Sequence, residues 1–423
     1  MHYGIFTIGT RGDVQPYIAL AIGLIARGHR VTIVAPQNFQ TIVEGHKLDF
    51  FPLPIDVEAL MAGPEGRQIM KTGNTFRLLQ YFYKKLSEHK EGLRKAFFEA
   101  AQRVDAIISN QNCLQFTTVV AEKLHKQYAL SYFMPPLVQT KAFPAPDMDF
   151  MDKPWYNLWT YRFLHWAAWR FLKKDTNEFR RMLGLPALKE SLLDRIQQQK
   201  ILDFYSFSSK LIPRPTDWPA QCKITGFMSL ASGQDDLVSA SITTWINSGS
   251  KPIYVGFGSN GVPNPERFAA VLMDFLSLSS ERVIFCEGWS GVQLPSHPKL
   301  LVLKSINHDW LLPKCKTAVI HGGAGTIAAV LRAQIPVIVA SMYTDQPTWG
   351  KIIAKRQVGV HLPFKEFSTL RLLEAIEAMD DPHIRAKAKE MGAAIKYEDG
   401  VKNAIEAIEA YFPPVKEKNF ILV

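Results

Sequence analysis

The chain of 423 residues is longer than one ordinary hydrophobic core supports and is long enough for two domains. With 47% hydrophobic and 21% charged residues it has a globular composition, which excludes a disordered or low-complexity chain. The net charge of +10 suggests anionic partners and could serve a phosphorylated ligand, an anionic bilayer surface or neither, whereas no basic run interleaved with aromatic residues supports nucleic-acid binding.

Three expectations follow from features that the sequence lacks. It contains no uninterrupted run of about 18–20 apolar residues, so we expect no membrane-spanning helix. The N-terminus enters a strand pattern at once, without the basic, apolar and cleavage segments of a secretory signal. Its four cysteines have neither disulfide nor metal spacing, which predicts a reduced cytoplasmic protein without a metal site: Cys113, Cys222, Cys286 and Cys315.

The first predicted strand is followed by a glycine-rich turn that contains an acidic residue. An apolar run at residues 3–8 leads directly into GTRGDVQP at 9–16, and a helical pattern begins near Val14. A glycine-rich turn between a strand and a helix is typical of phosphate sites, but a carboxylate repels phosphate. Asp13 therefore indicates either that this turn binds no phosphate or that its carboxylate takes part in chemistry.

Further apolar runs continue this alternation of strands and helices. They lie at residues 31–35, 49–54, 106–109 and 128–134. Repeated βαβ units predict a parallel sheet that is covered by helices on both faces.

The middle of the chain departs from the alternation. Residues 155–172, WYNLWTYRFLHWAAWRFL, form a helical stretch with four of the nine tryptophans. The proline-rich passage LIPRPTDWP at 211–219 has little helix or strand character, which predicts an interdomain linker. We therefore divide the chain into domains at 1–214 and 215–400.

The second part starts a new series of βα units. Strands are predicted at 252–257, 282–286, 300–305, 317–320 and 337–340. The fold class is therefore α/β, with two successive doubly wound domains and a cleft between them.

The loop HGGAGT at 321–326 joins a predicted strand to a helix that begins near Thr326. Its three glycines allow an oxygen-rich group to approach the backbone, and the free amides of the helix N-terminus point at such a group. Thr326 can cap the helix or donate its hydroxyl to a phosphate, and His321 can donate to another phosphate oxygen. A tight turn without a ligand is the alternative interpretation.

A carboxylate and a carboxamide follow the next predicted strand, in TDQP, as Asp345 and Gln346. Because the carboxyl ends of neighbouring parallel strands meet at one edge of a sheet, these side chains should lie beside HGGAGT. Together they accept from and donate to vicinal hydroxyls, as recognition of a sugar requires. The pair of motifs predicts a nucleotide-sugar site.

These motifs resemble the donor signature of glycosyltransferases with the GT-B fold. SINHDWLLP at 305–313, HGGAGT and TDQP resemble it most closely in the branch of sterol 3-beta-glucosyltransferases and glycopeptide-aglycone glucosyltransferases. GTRGDVQP, FMPPLVQTKAFPAP at 133–146, the segment 205–227 and PIYVGFGSN at 252–260 are similar as well. The resemblance covers most of the chain, in the expected order.

The resemblance implies two Rossmann-like domains with separate roles. Residues 1–214 would bind the acceptor and 215–400 the nucleotide sugar, with a C-terminal helix at 401–423 that crosses back to the first domain. It implies UDP-glucose as co-substrate and no cofactor, although thymidine as the base stays open. The implied donor-binding residues are Ser259, Trp289, His308, His321, Gly323, Gly325, Thr326, Asp345 and Gln346. Trp289 could instead be a packing residue, and His308 an ordinary loop histidine.

Two departures from the resembling sequences lie near the implied ligand surfaces. ASMYTDQ has no aromatic pair before its DQ, and Pro136 replaces a tryptophan that usually follows MP. They concern the identity of donor and acceptor, not the fold.

With the nucleotide in the second domain, Asp13 faces the acceptor rather than a phosphate. It can take the proton from an acceptor hydroxyl, for which a positioned base typically contributes ~10²–10⁴-fold. With an ordinary pKa near ~3.9 it would be ionised at neutral pH. The resemblance implies the same role, and helix capping is the alternative; one carboxylate oxygen can cap while the other accepts a proton. The expected reaction is a single displacement with inversion, with the diphosphate held by the helix N-terminus and no metal.

The acceptor side is less constrained by the sequence. The aromatic segment at 155–172 could pack the first domain, line an apolar acceptor channel, or touch an anionic bilayer through its basic neighbours. Candidate acceptor-side residues are Arg11, Phe143, Trp155 and Trp159. A sterol, a polyphenol or a polyketide would fit such a pocket. DMD at 147–149 superficially matches a metal-binding motif but sits in a proline-rich loop, so no metal is expected there.

Two other classes of function share this architecture. A nucleotide-sugar epimerase would need acid–base residues at the sugar and no acceptor channel. A non-catalytic protein that binds a lipid or nucleotide sugar would not need Asp13, His321, Asp345 and Gln346 together.

Overall fold

A computed structural model describes residues 1–135, 137–230 and 239–412, which form two α/β domains. Pro136, one of the two departures noted above, and the predicted C-terminal segment from residue 413 onward lie outside the described residues. In the described part of the chain, no helix is both long and apolar enough to cross a bilayer.

The first domain is built on a parallel sheet of seven strands. Its strand order is β3-β2-β1-β4-β5-β6-β7. In chain order the strands are β1 His2–Phe6, β2 Arg30–Pro36, β3 Asp49–Leu53, β4 Ala106–Asn110, β5 Tyr128–Tyr132, β6 Leu202–Tyr205 and β7 Cys222–Ile224.

The second domain repeats the plan with six parallel strands. Their order is β10-β9-β8-β11-β12-β13. In chain order they are β8 Ile253–Gly256, β9 Val283–Cys286, β10 Leu300–Leu303, β11 Thr317–Ile320, β12 Val337–Val339 and β13 Gly359–His361. The prediction of two doubly wound parallel sheets is confirmed.

Helices cover both faces of each sheet. In the first domain they are α1 Arg11–Ala26, α2 Gln40–Gly45, α3 Val57–Ala62, α4 Pro64–Lys71, α5 Thr75–Glu88, α6 Lys90–Gln102, α7 Leu114–Lys123, α8 Pro154–Met182 and α9 Leu192–Gln198. After β7 they are α10 Ala240–Asn247, α11 Pro265–Leu278, α12 His308–Leu311, α13 Ala324–Arg332, α14 Gln346–Lys355, α15 Thr369–Ala378, α16 Pro382–Lys396 and α17 Gly400–Tyr411.

Burial explains why the central strands are almost continuously apolar. Every residue of β4, β5, β8 and β11 is buried, because helices pack on both faces of these parallel sheets. Polar side chains therefore gather at the loops that follow the strands, where the sites are expected.

The first domain extends beyond the division predicted at residue 214. β7 pairs in parallel with β6 and so belongs to the first sheet. The proline-rich passage before it is packed rather than extended: Trp218 is buried and stacks on Tyr205, and Asp217 accepts from Thr140 Oγ1 at 2.6 Å. The linker prediction for 211–219 is therefore wrong, because apolar and charged side chains tie this passage to the first domain.

The last described helix returns to the first domain. Ile405 and Ile408 of α17 are buried in one cluster with Leu20 and Leu24 of α1. His29 Nε2 lies 3.2 Å from Glu409 Oε1 at the same contact. The helix that carries the N-terminal glycine-rich turn is thus covered by a helix that follows the second domain in sequence.

Candidate active site

The two glycine-rich turns lie at the points where the strand order of each sheet reverses. In the first sheet β1 and β4 are neighbours, and GTRGDVQP follows β1. In the second sheet β8 and β11 are neighbours, and HGGAGT follows β11. Ligands bind beyond the carboxyl ends of strands at such points, so the topology alone selects both turns as sites.

Asp13 is the third residue of α1 and closes a capping box with Thr10. Its Oδ2 accepts from the Thr10 backbone N–H at 2.8 Å, while the Asp13 N–H donates to the Thr10 carbonyl at 2.9 Å. The helix begins at Arg11, not near Val14 as predicted. Because the cap occupies Oδ2, it is compatible with proton transfer at Oδ1.

The environment of Asp13 changes the expected charge of its carboxyl. Burial and, to a smaller extent, the negative charge of Asp345 raise the pKa of Asp13 to about 7, against hydrogen bonds from Thr10 that lower it. The expectation of an ordinary pKa near ~3.9 is therefore wrong. A base with a pKa near 7 is better matched to proton transfer at neutral pH than an ordinary carboxylate.

Polar residues of the first sheet hold the Asp13 turn in place. Thr7 Oγ1 donates to the Asp13 carbonyl at 2.9 Å, and Asn110 Nδ2 donates to Thr7 Oγ1 at 2.9 Å. Asn112 Nδ2 donates to the Ile8 carbonyl at 2.8 Å. Sequence reasoning missed both asparagines, although their place after β4, beside β1, could have identified them.

Close approach requires glycine at position 9. A Cβ at Gly9 would lie 2.1 Å from Asp13 Oδ2. The turn therefore brings the backbone against the carboxylate itself, and any larger residue would displace it.

In the second domain, HGGAGT forms the turn between β11 and α13. Gly322 has a φ of +100°, and a Cβ there would lie 2.7 Å from Val339 Cγ1. Gly323 is the N-cap residue and α13 begins at Ala324, so Thr326 lies inside the first turn. The prediction that Thr326 caps this helix is wrong, but its backbone N–H belongs to the free N-terminal amides of the helix.

His321 directly follows β11 and is the first residue of this turn. The side chain is buried, and its Nδ1 has no hydrogen-bond partner among the described residues. Burial and, to a smaller extent, the nearby His308 lower the pKa of His321 to about 4, so the ring is neutral at pH 7. A neutral imidazole donates one N–H and carries no charge to this site.

Asp345 and Gln346 lie at the start of α14, after β12. Asp345 Oδ2 accepts from Trp349 Nε1 at 3.0 Å and its Oδ1 accepts from Thr344 Oγ1 at 3.1 Å. Gln346 Oε1 accepts from the backbone N–H groups of Met342 at 2.9 Å and Tyr343 at 3.3 Å. The amide Nε2 is thus the group of Gln346 that is left to donate to a ligand.

The remaining predicted donor residues surround the turn after β8. Ser259 and Trp289 are half-buried, and the backbone N–H of Trp289 donates to the Gly258 carbonyl at 2.9 Å. His308 Nε2 lies 2.8 Å from the hydroxyl of Tyr254. Burial lowers the pKa of His308, and the nearby charge of Arg11 lowers it as well.

Contacts between the domains bring the two sets of residues to one cleft. The charge of Asp345 acts on Asp13, and that of Arg11 acts on His308. Thr75, at the start of α5, accepts the backbone N–H of Thr344 on its Oγ1 at 3.0 Å. Sequence reasoning missed Thr75, and no local signal marks it, because the contact exists only when the domains meet.

The predicted acceptor-side residues do not form one group. Trp155 and Trp159 lie on the exposed side of α8, with exposed fractions of 66% and 53%, so packing of the core is excluded for both. Phe143 is half-buried and packs against the core, and Arg11 is exposed near His308. Their role toward an acceptor stays a prediction.

DMD at 147–149 contacts the second domain. Asp147 Oδ1 accepts from Thr348 Oγ1 at 3.2 Å, and Asp149 Oδ1 accepts from Lys351 Nζ at 2.6 Å. Both partners belong to α14. Within residues 1–135, 137–230 and 239–412, no group of three or more histidine, cysteine or acidic side chains could hold a metal ion.

Two family models match the chain, one in each domain. The model described as glycosyltransferase family 28 N-terminal domain matches residues 3–143. The model described as erythromycin biosynthesis protein CIII-like, C-terminal domain, matches residues 272–400. The matches fall on the Asp13 turn and on the HGGAGT and TDQP loops.

Similar curated proteins are longer than this chain. A sterol 3-beta-glucosyltransferase of Arabidopsis thaliana is 32% identical over 99% of this chain and 66% of its own length. A sterol 3-beta-glucosyltransferase of Emericella nidulans is 32% identical over 95% of this chain and 29% of its own length. The chain thus spans just under two thirds of the plant relative and under a third of the fungal one.

Solved structures share the fold along nearly the whole chain. The glycotransferase of kitacinnamycin superposes with a TM-score of 0.71 at 17% identity, covering 97% of this chain and 99% of its own. The spinosyn rhamnosyltransferase SpnG superposes with a TM-score of 0.65 at 16% identity, covering 97% and 100%. This likeness confirms the predicted GT-B fold.

Proposed function

The chain belongs to the glycosyltransferases of the GT-B fold, and from this premise we propose that it transfers glucose from UDP-glucose to a hydroxyl group of a lipophilic acceptor. A sterol is the first acceptor to test, because two relatives bear the name sterol 3-beta-glucosyltransferase. A polyphenol or a polyketide combines an apolar body and a hydroxyl group in the same way. The observation that carries the proposal is the pair of carboxylates from different domains, Asp13 and Asp345, which lie near enough for the charge of Asp345 to raise the pKa of Asp13.

In the proposed reaction Asp13 accepts the proton of the acceptor hydroxyl. The acceptor oxygen forms a bond to the anomeric carbon while the bond from that carbon to the diphosphate oxygen breaks, and UDP leaves with the electron pair. Attack from the face opposite the leaving group inverts the anomeric centre. The pKa of Asp13, about 7, supports the role of base, for which ~10²–10⁴-fold is typical.

The donor is proposed to lie along the second domain. The free amides at Gly325 and Thr326 and the neutral ring of His321 would stabilise the diphosphate as its charge increases. Asp345 and the Nε2 of Gln346 would bind hexose hydroxyls, with Ser259, Trp289 and His308 around the rest of the nucleotide. Because backbone amides and a helix dipole supply this stabilisation, the proposal includes no metal.

Product formation from UDP-glucose tests this function directly. Purified protein is incubated with UDP-glucose and a panel of sterols, polyphenols and polyketides in the presence of EDTA, and free UDP and glycoside are followed by mass spectrometry. We expect a β-glycoside, identified by NMR of its anomeric proton. UDP-galactose and TDP-glucose are tested in parallel to identify the donor.

The base is tested with a variant that keeps the capping hydrogen bond. Asp13→Asn can still accept the Thr10 N–H but cannot take a proton, so we expect turnover to fall ~10²-fold or more with unchanged UDP affinity. Asp381→Asn is the matched control, because Asp381 caps α16 on the surface of the second domain. UDP binding without glycoside from any donor would contradict transfer. Interconversion of UDP-sugars would then favour an epimerase, and binding alone a non-catalytic protein.

A further inference from the structure

The long helix α8 exposes a row of stacked aromatic rings. Trp155, Trp159, Phe163 and Trp166, here called the aromatic ridge, have exposed fractions of 66%, 53%, 42% and 59%. The ring centroids of Trp159 and Phe163 are 5.6 Å apart and those of Phe163 and Trp166 are 5.9 Å apart. Trp155 joins this row through Tyr156, whose ring contacts both Trp155 and Trp159, so the helix presents a run of exposed aromatic rings to solvent.

The helical period separates this ridge from the side of α8 that packs on the protein. Ridge residues are spaced by four, four and three positions, which places them on one face. Tyr161 and His165, which the period places away from the ridge, are buried. A helix that already buries one face and still exposes three tryptophans and a phenylalanine carries a second apolar surface that needs a partner.

A second exposed aromatic contact joins α8 to a neighbouring helix of the first domain. Phe171 of α8 and Phe76 of α5 are 53% and 55% exposed, and their ring centroids are 5.9 Å apart. Leu79, one turn further along α5, is also exposed. At 100° per residue Phe171 lies about 140° around the helix axis from Trp166, so this contact forms a second apolar patch beside the ridge.

Basic side chains adjoin the ridge on the same helix. Arg162, Arg170, Lys173 and Lys174 are exposed, and none of them forms an ion pair with another described residue. At 100° per residue, three of these positions project within about 60° of Trp155 around the helix axis. Aromatic rings and unpaired cations on one face match the interface of an anionic bilayer, where the rings enter the headgroup region and the cations meet lipid phosphates.

We propose that the aromatic ridge and these four basic residues form a surface that binds anionic lipid bilayers. Binding to the bilayer does not depend on glycosyl transfer. Only the identity of the acceptor taken from the membrane rests on the proposed function. The partner is a bilayer rather than a soluble ligand because the surface is aromatic, cationic and exposed to solvent.

The position of this surface connects it to the cleft. Residue 75, next to Phe76, holds the backbone of Thr344 beside Asp345. On the inner side of α8, Thr160 Oγ1 accepts the Ala145 N–H at 2.9 Å. The loop held in this way continues to Asp147, which contacts α14. A bilayer bound at the ridge would therefore lie beside the acceptor side of the cleft.

Vesicle binding without donor or acceptor tests the proposal. The whole protein is sedimented with vesicles of phosphatidylcholine alone or with 30 mol% phosphatidylserine. We expect binding to the anionic vesicles that weakens with added salt and a blue shift of tryptophan fluorescence. A triple variant with Trp155→Ser, Trp159→Ser and Trp166→Ser should bind about tenfold or more weakly. The matched control carries Leu278→Ser, Leu370→Ser and Tyr397→Ser, three exposed apolar residues of the second domain, and should bind like the wild type.

The charges are tested separately with the same assay. Arg162→Gln, Arg170→Gln, Lys173→Gln and Lys174→Gln together should abolish the preference for anionic vesicles. Neutralising four exposed lysines of the second domain, Lys251, Lys304, Lys365 and Lys389, should leave this preference unchanged.

Several results would overturn the proposal. They are a wild type that ignores both kinds of vesicle, a triple tryptophan variant that still binds, and a dimer in solution that the triple variant dissociates. The vesicle-binding assay needs no turnover, so its result can be interpreted even if the protein does not transfer glucose. If both proposals hold, the variant with Arg162, Arg170, Lys173 and Lys174 replaced by glutamine keeps its activity on a short water-dispersed acceptor and loses it on a sterol within anionic vesicles.

Discussion

Trp349 donates its indole N–H to Oδ2 of Asp345 at 3.0 Å, from one turn further along the same helix. The ring is fully buried, so the position of the carboxylate is fixed by the core of the second domain. The side chain proposed to bind the sugar is therefore not free to follow its ligand; it is held before the ligand arrives.

This relationship predicts the effect of Trp349→Phe. A hydrogen bond to a charged group contributes about 1.5–3 kcal/mol, so we expect the KM for UDP-glucose to rise about tenfold or more while UDP affinity stays unchanged. Trp218→Phe is the matched control, because Trp218 is buried but its Nε1 has no partner among the described residues. Both variants should lose similar thermal stability, and only Trp349→Phe should change KM. Equal KM values would contradict the positioning role.

The raised pKa of Asp13 predicts the pH dependence of turnover. The base acts as a carboxylate, so kcat/KM for the acceptor should rise as pH increases through about 7 and level off above it. Asp345→Asn removes a negative charge that raises this pKa, so the midpoint should move to lower pH even though sugar binding weakens. Asp49→Asn is the control, because Asp49 begins the edge strand β3 and Asp13 follows β1, and this variant should leave the midpoint unchanged. A midpoint near 4 in the wild type would contradict the buried base.

The same carboxyl predicts a pH-dependent difference in stability. The folded pKa of Asp13, about 7, exceeds the ordinary value of 3.8, so folding favours the protonated form and the folded state loses stability as pH rises from about 4 to 7. Asp13→Asn has no such loss. We expect the free energy of unfolding of the variant, relative to wild type, to increase between pH 4 and 7 and to stay constant above. A constant difference across this range would show that Asp13 ionises as easily in the folded as in the unfolded chain.

Gly9→Ala should disable the base without touching the donor site. The added methyl would lie 2.1 Å from Asp13 Oδ2, so the carboxylate or the turn must move. We expect kcat to fall ~10²-fold or more and calorimetry to give an unchanged Kd for UDP. Gly45→Ala in the same domain meets no atom within 4 Å and serves as the control. Full activity of Gly9→Ala would contradict the assigned position of the base.

Two glycines of HGGAGT should respond in opposite ways to alanine. Gly322→Ala combines a φ of +100° with a methyl 2.7 Å from Val339, so it should lower the Tm. Gly325 lies in α13 with no atom near its Cβ position, so alanine should keep or raise the Tm by improving helix propensity. If phosphate occupies that open space, Gly325→Ala weakens UDP binding despite its stability. Unchanged UDP affinity in Gly325→Ala would place the diphosphate elsewhere.

The fold was predictable because it depends on patterns that are local in sequence. Thr317–Ile320 is predicted and observed with the same bounds, since a short apolar run before glycines permits little else. The start of α13 was predicted two residues late because its N-cap is Gly323, which has no side chain to indicate a cap. The proline-rich passage before β7 was wrongly predicted to be a linker. Its prolines correctly indicate irregular backbone, but irregular backbone can be buried within a domain.

The topology explains why the predicted site residues lie near one another, but the sequence did not predict their electrostatics. Asp13, His321 and Asp345 follow strands, and the topology of parallel sheets brings such positions together. The pKa of Asp13 depends on burial and on a charge from the other domain, neither of which is present in its neighbouring residues. The contact of Thr75 with Thr344 joins positions far apart in sequence, and only the assembled domains reveal it.

The contact between α17 and α1 has a consequence for the architecture of the gene product. The chain leaves the first domain after β7 and re-enters it at Gly400, and these two crossings touch: a Cβ at Gly400 would lie 2.4 Å from the Phe227 carbonyl oxygen. The second domain is thus an insertion whose entry and exit are side by side. A domain tethered in this way can swing as one piece about a single pivot without stretching either connection, and it could be exchanged for another insert with adjacent ends. The elements before and after the insertion, β7 and α17, both pack into the first domain.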